Sequence, residues 1–218
     1  LKKLHRLIVT SSTYRQDSKA SLSLLERDPQ NRLLARGPRF RLSGELIRDH
    51  MLQASGKLSG KMFGPGVYPP QPLTVLAHAF GNKSWNASKG EDRYRRSIYT
   101  FIKRTAPFAG FMTFDGTSGE NCLAKRDRSN TPLQALTLLN DEMYLELARS
   151  AGQEVHQKKD DPVETLFRRF LTRPPKQSET DALRAYYEQQ IQRLEKGEIK
   201  PTDIADDPKA SPELAGKV

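Results

Sequence analysis

Thr131-Pro132-Leu133-Gln134-Ala135-Leu136-Thr137-Leu138-Leu139-Asn140-Asp141-Glu142-Met143-Tyr144-Leu145-Glu146-Leu147 is the stretch on which the fold class of this chain turns. Threonine at the cap, proline at the first helical position and glutamine at the third satisfy the first orphan amides of a helix reciprocally. A helix therefore starts at Pro132. Leu133, Leu136, Leu139, Met143 and Leu147 carry its apolar stripe to about Ala151, with Asn140-Asp141 a place for a kink or restart.

The same logic extends in both directions. Asp161-Pro162-Val163-Glu164 repeats the cap ahead of Val163, Leu166, Phe167, Phe170 and Leu171. Pro174-Pro175 stops that helix, Ser178 caps the next, and Leu183, Tyr186, Tyr187, Ile191 and Leu194 carry it to Gly197. Upstream, Leu42, Leu46, Ile47, Met51 and Ala54 form a 3.6-residue stripe that Gly56 ends in the left-handed conformation. Leu1, Leu4, Leu7 and Ile8 open a helix over 1–16 that fades into a turn, and Asp28-Pro29 leads into a short helix over 31–36.

Between these helices lies less regular sequence. Gly60, Gly64-Pro65-Gly66, Pro69-Pro70, Pro72 and Gly81 make 56–93 a long irregular excursion, anchored at Tyr68 and Trp85. Ile98, Phe101 and Ile102 suit a helix over 95–104, against β-branched content that suits a strand, and Phe108 to Asp115 supplies a short extended piece. The expected fold is mainly α, an irregular helical domain with long Gly/Pro-rich loops and little or no β-sheet. Its expected parts are a helix-rich core over 1–155 that includes the 56–93 loop, a helical pair over 156–198 and a loosely ordered polar tail over 199–218.

Composition narrows the chemistry. No run approaches the roughly 18 apolar residues of a membrane span, the longest being broken by Lys103 and Arg104. Cys122 is the sole cysteine, which excludes an internal disulfide, a cysteine-based zinc site and a Cys-x-x-Cys-His haem attachment within these residues. His5, His50, His78 and His156 lie too far apart for a helical metal pair, so neither a metal nor another cofactor is expected in this segment. No phosphate-binding glycine loop or nucleophile elbow occurs, and Gly64-Pro65-Gly66 lacks the lysine and following helix that such a site needs. The chain begins at Leu1 with neither Met nor a charged-then-apolar leader, as expected of a piece of something longer.

The net charge of +10 is uneven: residues 1–130 hold 23 Lys and Arg against 10 Asp and Glu, whereas 131–218 hold 13 against 16. A one-signed face concentrates anions, be they acidic polysaccharide, acidic protein or nucleic acid. Arg93, Arg95, Arg96, Lys103 and Arg104, interleaved with Tyr94, Tyr99 and Phe101 and joined by Arg126, form the candidate anion-binding set, since aromatics stack while cations grip. The same composition describes a segment that buries its rings and pairs its arginines. Glu45 and Asp49, one helical turn apart, are a candidate acid and base, with Arg41 and Arg48 as simple salt-bridge partners; Asp115 and a Cys122 thiolate beside Lys125 and Arg126 complete the candidates for chemistry.

Five blocks carry a family likeness: His5 to Gln16 (HRLIVTSSTYRQ), Asp28 to Leu34 (DPQNRLL), Ile47-Arg48-Asp49, Arg95 to Tyr99 (RRSIY) and Asn130 to Asp141 (NTPLQALTLLND). In this order they resemble the domain of unknown function numbered 1553, over residues 1 to about 155. That resemblance implies the C-terminal domain of large exported planctomycete proteins, often behind a cytochrome c domain, and hence a periplasmic or extracellular setting with haem elsewhere in the parent protein. It also implies a family pattern running beyond both Leu1 and Val218, and it assigns no catalytic residue. The expected function is a helical binding or scaffold module that docks an anionic polysaccharide or an acidic partner domain of the parent protein. Two alternatives stand beside it: part of a hydrolytic or redox-accessory enzyme completed by flanking segments, and a nucleic-acid binder, disfavoured by the implied location.

Overall fold

The protein is described from a computed structural model, which covers residues 1–76, 84–120, 122–158 and 161–206. Among these residues it is mainly helical, without a strand: α1 (Lys2–Thr10), α2 (Leu22–Arg27), α3 (Gly44–Ala54), α4 (Ala109–Thr113), α5 (Pro132–Asn140), α6 (Glu142–His156), α7 (Pro162–Leu171), α8 (Gln177–Glu195) and α9 (Pro201–Ala205), with 3-10 turns at Leu73–Leu76, Gly90–Tyr94 and Ser97–Tyr99. The chain divides into two units, Leu1–Arg41 and Leu42–Val218.

In the first unit the backbone of 31–36 is not helical, contrary to the expectation from Asp28-Pro29. Asp28 accepts the amides of Arg32 and Leu33, each at 2.8 Å, and Asn31 exchanges hydrogen bonds with Arg36. These side chains supply the backbone partners that a helix would otherwise supply. Asn31 and Leu34 both take φ of 53°, a left-handed conformation that ends any helix. α1 is shorter than expected, stopping at Thr10, whose hydroxyl returns to the Arg6 carbonyl at 2.7 Å. No apolar side chain of this unit is buried.

The second unit is built on α3 and α6. α6 packs against α5 and α7, α3 against α4, α6 and α7, and α7 against α8. Leu52, Met143, Tyr144 and Leu147 form one buried cluster, and Trp85, Ala106 and Phe108 a second, with Tyr68 and Phe111 packed on it. Trp85 donates its indole N–H to the Pro69 carbonyl at 2.7 Å, so the irregular 56–93 segment is anchored at its aromatics.

The opening stretch is two helices rather than one. Asp141 ends α5 by donating its amide to the Thr137 carbonyl and begins α6 by accepting the Met143 amide at 3.0 Å. Its extended ψ of 134° resets the helical phase, so a stripe extrapolated across it fails. α6 buries Met143, Tyr144, Leu147, Ala151 and Val155. α5 instead buries Gln134, which holds Thr131, Thr113 and Ser129 by hydrogen bonds of 3.0–3.2 Å, and leaves Leu133, Leu136 and Leu139 more than half exposed.

Three further expectations are corrected. The 95–104 segment is a short 3-10 turn followed by extended chain, in which Val67 and Thr100 form a parallel bridge through Val67 N–H to Tyr99 O and Phe101 N–H to Val67 O, both 2.8 Å. Residues 109–113 are helical rather than extended; the side-chain oxygen of Gln71 takes the exposed first amide of α4 at 3.1 Å. α8 starts two residues earlier than a Ser178 cap requires, because Glu179 folds back onto the Lys176 amide at 2.8 Å. In the polar tail, α9 is pinned by Arg149, which donates to the carbonyls of Asp203 and Ile204; residues 207–218, like His78, lie outside the described residues.

Candidate functional site

The site is organised by Arg48, which the sequence reading offered only as a salt-bridge partner of Glu45 and Asp49. Gly44, Arg48 and Leu52 recur every four residues along α3, and this line, not Leu42 and Leu46, faces the interior. Arg48 is fully buried. Its guanidinium donates to the carbonyls of Arg95 (2.7 Å) and Arg93 (3.0 Å) and to the Ser97 hydroxyl (3.3 Å), and lies 3.9 Å from Asp49. Burial lowers its pKa to about 10, against the opposing pull of Asp49. Asp49 in turn accepts the Ser97 amide at 2.7 Å. One helical turn of α3 thus fixes the backbone of 93–97, a segment with little regular structure of its own.

That anchoring decides where the candidate anion-binding residues go. Arg93 is bound by Glu146 through two nitrogens and reaches Glu142 at 3.2 Å. Burial works against ionisation of Glu146, yet the Arg93 guanidinium prevails and its carboxyl lies below the usual range. Tyr94 donates to the same carboxylate, and burial followed by that hydrogen bond pushes its phenol up to about 12. Arg95 is fully buried, stacks 3.9 Å from the Tyr99 ring centroid and donates to the carbonyls of Phe63 and Pro65. Arg126 gripped by Glu45 makes a pair with contacts of 2.7 and 2.9 Å. Lys103 is half-buried, and only Arg96 and Arg104 are exposed without an ion-pair partner among the described residues. The structure does not gather the six cations into one open patch.

It does gather other groups. A cleft of about 490 Å³ opens between α3, the 97–102 segment and α4. Its walls are apolar, with Leu46, Ile98, Phe101, Phe108, Phe111 and Met112, while Asp49, Ser97, Thr100 and the Glu45–Arg126 pair supply polar groups. Asp49 is held by its Ser97 bond with its side chain 28% exposed. Thr100 is 93% buried, and its hydroxyl has no hydrogen-bond partner in the structure. A buried hydroxyl left without a partner costs about 1–3 kcal/mol, a cost the second unit carries beside the cleft.

Glu45 and Asp49 therefore do converge on a concave site. Asp115 does not: its carboxylate caps Ser129 through amide and hydroxyl, at 2.7 and 2.8 Å. Cys122 is exposed. Arg48, Ser97 and Thr100 were missed by sequence reasoning. The signal for Arg48 was its register with Gly44 and Leu52; Thr100 carries no comparable signal, because its burial follows from the bridge to Val67.

No curated protein and no solved structure matches the chain. A family model described as a protein of unknown function, DUF1553 (PSD1), matches residues 1–187. That span is most of the chain, and the protein belongs to the DUF1553 family.

Proposed function

We propose that this helical module binds an acidic polysaccharide, with one sugar ring seated in the cleft beside α3. The observation that carries the reading is the Asp49 carboxylate, fixed by the Ser97 amide and partly exposed, in an apolar, aromatic-walled cleft. Sugar rings present exactly two kinds of surface, C–H faces that pack on apolar side chains and hydroxyls that donate and accept. Phe101 and Phe111 suit the first, Asp49 and the Glu45–Arg126 pair the second. Arg126 on the cleft wall, with Arg96 adjoining the lining residue Ser97 in sequence, suits the carboxylate or sulfate groups of an acidic chain.

The electrostatics favour binding over proton transfer. Burial raises the pKa of Glu45, but hydrogen bonds from Arg126, its own backbone and Ser43 together hold it below the usual carboxylate range, the reverse of what a proton donor at neutral pH needs. The test is calorimetric titration of the protein with oligogalacturonate and with neutral maltohexaose over a range of salt concentrations. Oligogalacturonate is expected to bind more tightly, weakening with salt, and Phe101→Ala or Asp49→Asn is expected to cost on the order of tenfold in affinity. Equal binding of the two sugars, or affinity untouched by both substitutions, excludes the reading.

A further inference from the structure

The first unit has a composition unlike the rest of the chain. Residues 1–41 hold ten Lys and Arg against three Asp and Glu. Lys2, Lys3, Arg6, Arg15, Arg27 and Arg32 are exposed and enter no ion pair among the described residues; the one ion pair seen for Lys19, with Asp17 at 3.9 Å, is itself open to solvent. α1 contains no acidic residue. At 100° per residue, Leu1, Leu4, Leu7 and Ile8 fall within one arc of its surface, and Lys2, Lys3 and Arg6 within the opposite arc. All of these side chains are exposed, Leu4 at 53% and Leu7 at 68%.

Such a helix lacks a reason to stay folded in water. The unit buries no apolar side chain to support it. Its apolar arc needs a cover, and its unneutralised charge specifies an anionic one. α1 offers no cleft and no buried polar group by which a partner of fixed shape is recognised; it offers an apolar arc backed by cations. A fluid surface reads that pattern without any shape match: acyl chains take the leucines and anionic headgroups take the lysines, whose stems reach outward.

We infer that α1 is a peripheral membrane-docking helix, lying flat in the interface of an anionic lipid surface with Leu4, Leu7 and Ile8 downward and Lys2, Lys3 and Arg6 toward the headgroups. This surface is independent of the cleft, so either reading can fail alone.

The full chain is to be co-sedimented with large unilamellar vesicles of phosphatidylcholine alone and of phosphatidylcholine with phosphatidylglycerol at 3:1. Binding is expected only with the anionic lipid. Leu4→Asp with Leu7→Asp is expected to lower the partition coefficient by at least about tenfold, as is Lys2→Glu with Lys3→Glu. Because these side chains are solvent-exposed, the substitutions leave the second unit folded, which an unchanged urea transition confirms. Failure to bind the anionic vesicles overturns the inference. So does binding that survives the Leu→Asp pair, or equal retention on immobilised poly-L-glutamate, since either result assigns the helix to bare charge attraction or an acidic protein surface.

Discussion

The two units use arginine and lysine in opposite ways. In residues 1–41 Lys2, Lys3, Arg6, Arg15, Arg27 and Arg32 are exposed and no apolar side chain is buried, so their charge remains a field acting on the surroundings. In the second unit Arg48 and Arg95 are fully buried and Arg93 is held by two glutamates; they serve as multi-armed donors that replace missing secondary structure. A net charge read from sequence adds these two populations together. The first, together with the exposed Arg96 and Arg104 of the second unit, is free to attract an anion. The second has spent its donors on carbonyls and carboxylates of its own chain, and the loss of one such side chain is felt in stability before it is felt in binding.

Arg48→Ala breaks the comparison most severely. It strands the Arg93 and Arg95 carbonyls and leaves a cavity beside α3, for an expected loss of about 3–5 kcal/mol in urea-unfolding stability. Arg48→Lys recovers little, because one ammonium cannot span three acceptors. Arg96→Ala, at an exposed and unpaired cation of the same segment, is expected to stay within about 0.5 kcal/mol of the parent. Similar losses for Arg48→Ala and Arg96→Ala end the distinction between the two kinds of arginine.

Capping chemistry explains how much of this fold was legible beforehand. Thr131-Pro132, Asp161-Pro162 and Gly56 each mark a helix end by a local interaction, and the helices start or stop there. Which face each helix buries is not local. Leu133, Leu136 and Leu139 were read as core because leucines repeat, yet the Asp141 reset turns them outward. Residues 31–36 and 109–113 went astray because their outcome rests on particular side chains, Asp28 and Asn31 in one case and Gln71 in the other. For the site, Glu45 and Asp49 were visible as a one-turn pair. Thr100 was not, since only the pairing of Val67 with the 99–101 chain, more than thirty residues away, buries it.

The leucines offer a smaller, two-sided measurement. Leu147→Ala, in the main cluster, is expected to cost about 2–5 kcal/mol, whereas Leu136→Ala is expected to change stability by less than about 0.5 kcal/mol. Chemical denaturation of both variants decides whether the opening stretch contributes its core through α6 alone. A large loss for Leu136→Ala would restore the single continuous stripe.

Two ionisable groups test the second unit's pairing by pH. Tyr94 has its pKa raised from 10.0 to about 12 by burial and by Glu146, so the folded state keeps a proton that the unfolded state has released. Its contribution is complete below pH 10 and is lost as pH rises toward 12. Tyr94→Phe is expected to flatten the fall in thermal stability over that window without abolishing it. Tyr144, raised by burial, titrates in the same direction and remains. A fall as steep in Tyr94→Phe as in the parent removes Tyr94 from the alkaline response.

Glu154 gives the smallest and most salt-sensitive effect. Arg169 donates to it at 2.8 and 3.0 Å and Lys158 at 2.6 Å, tying α6 to α7 and holding its pKa at about 2. The folded carboxyl therefore stays ionised where the unfolded one takes up a proton. Its stabilisation is complete above pH 4.5 and disappears as pH falls toward 2. All three side chains are a quarter to a half exposed, so water and salt screen the pair and the effect is small. Glu154→Gln is expected to flatten the acid limb of the stability curve at low salt and to differ little from the parent at 1 M NaCl. The same flattening at both salt concentrations is inconsistent with a solvent-screened pair. It would place Glu154 with the interior arginine contacts of the second unit rather than with charges that respond to the solution around them, as those of 1–41 do.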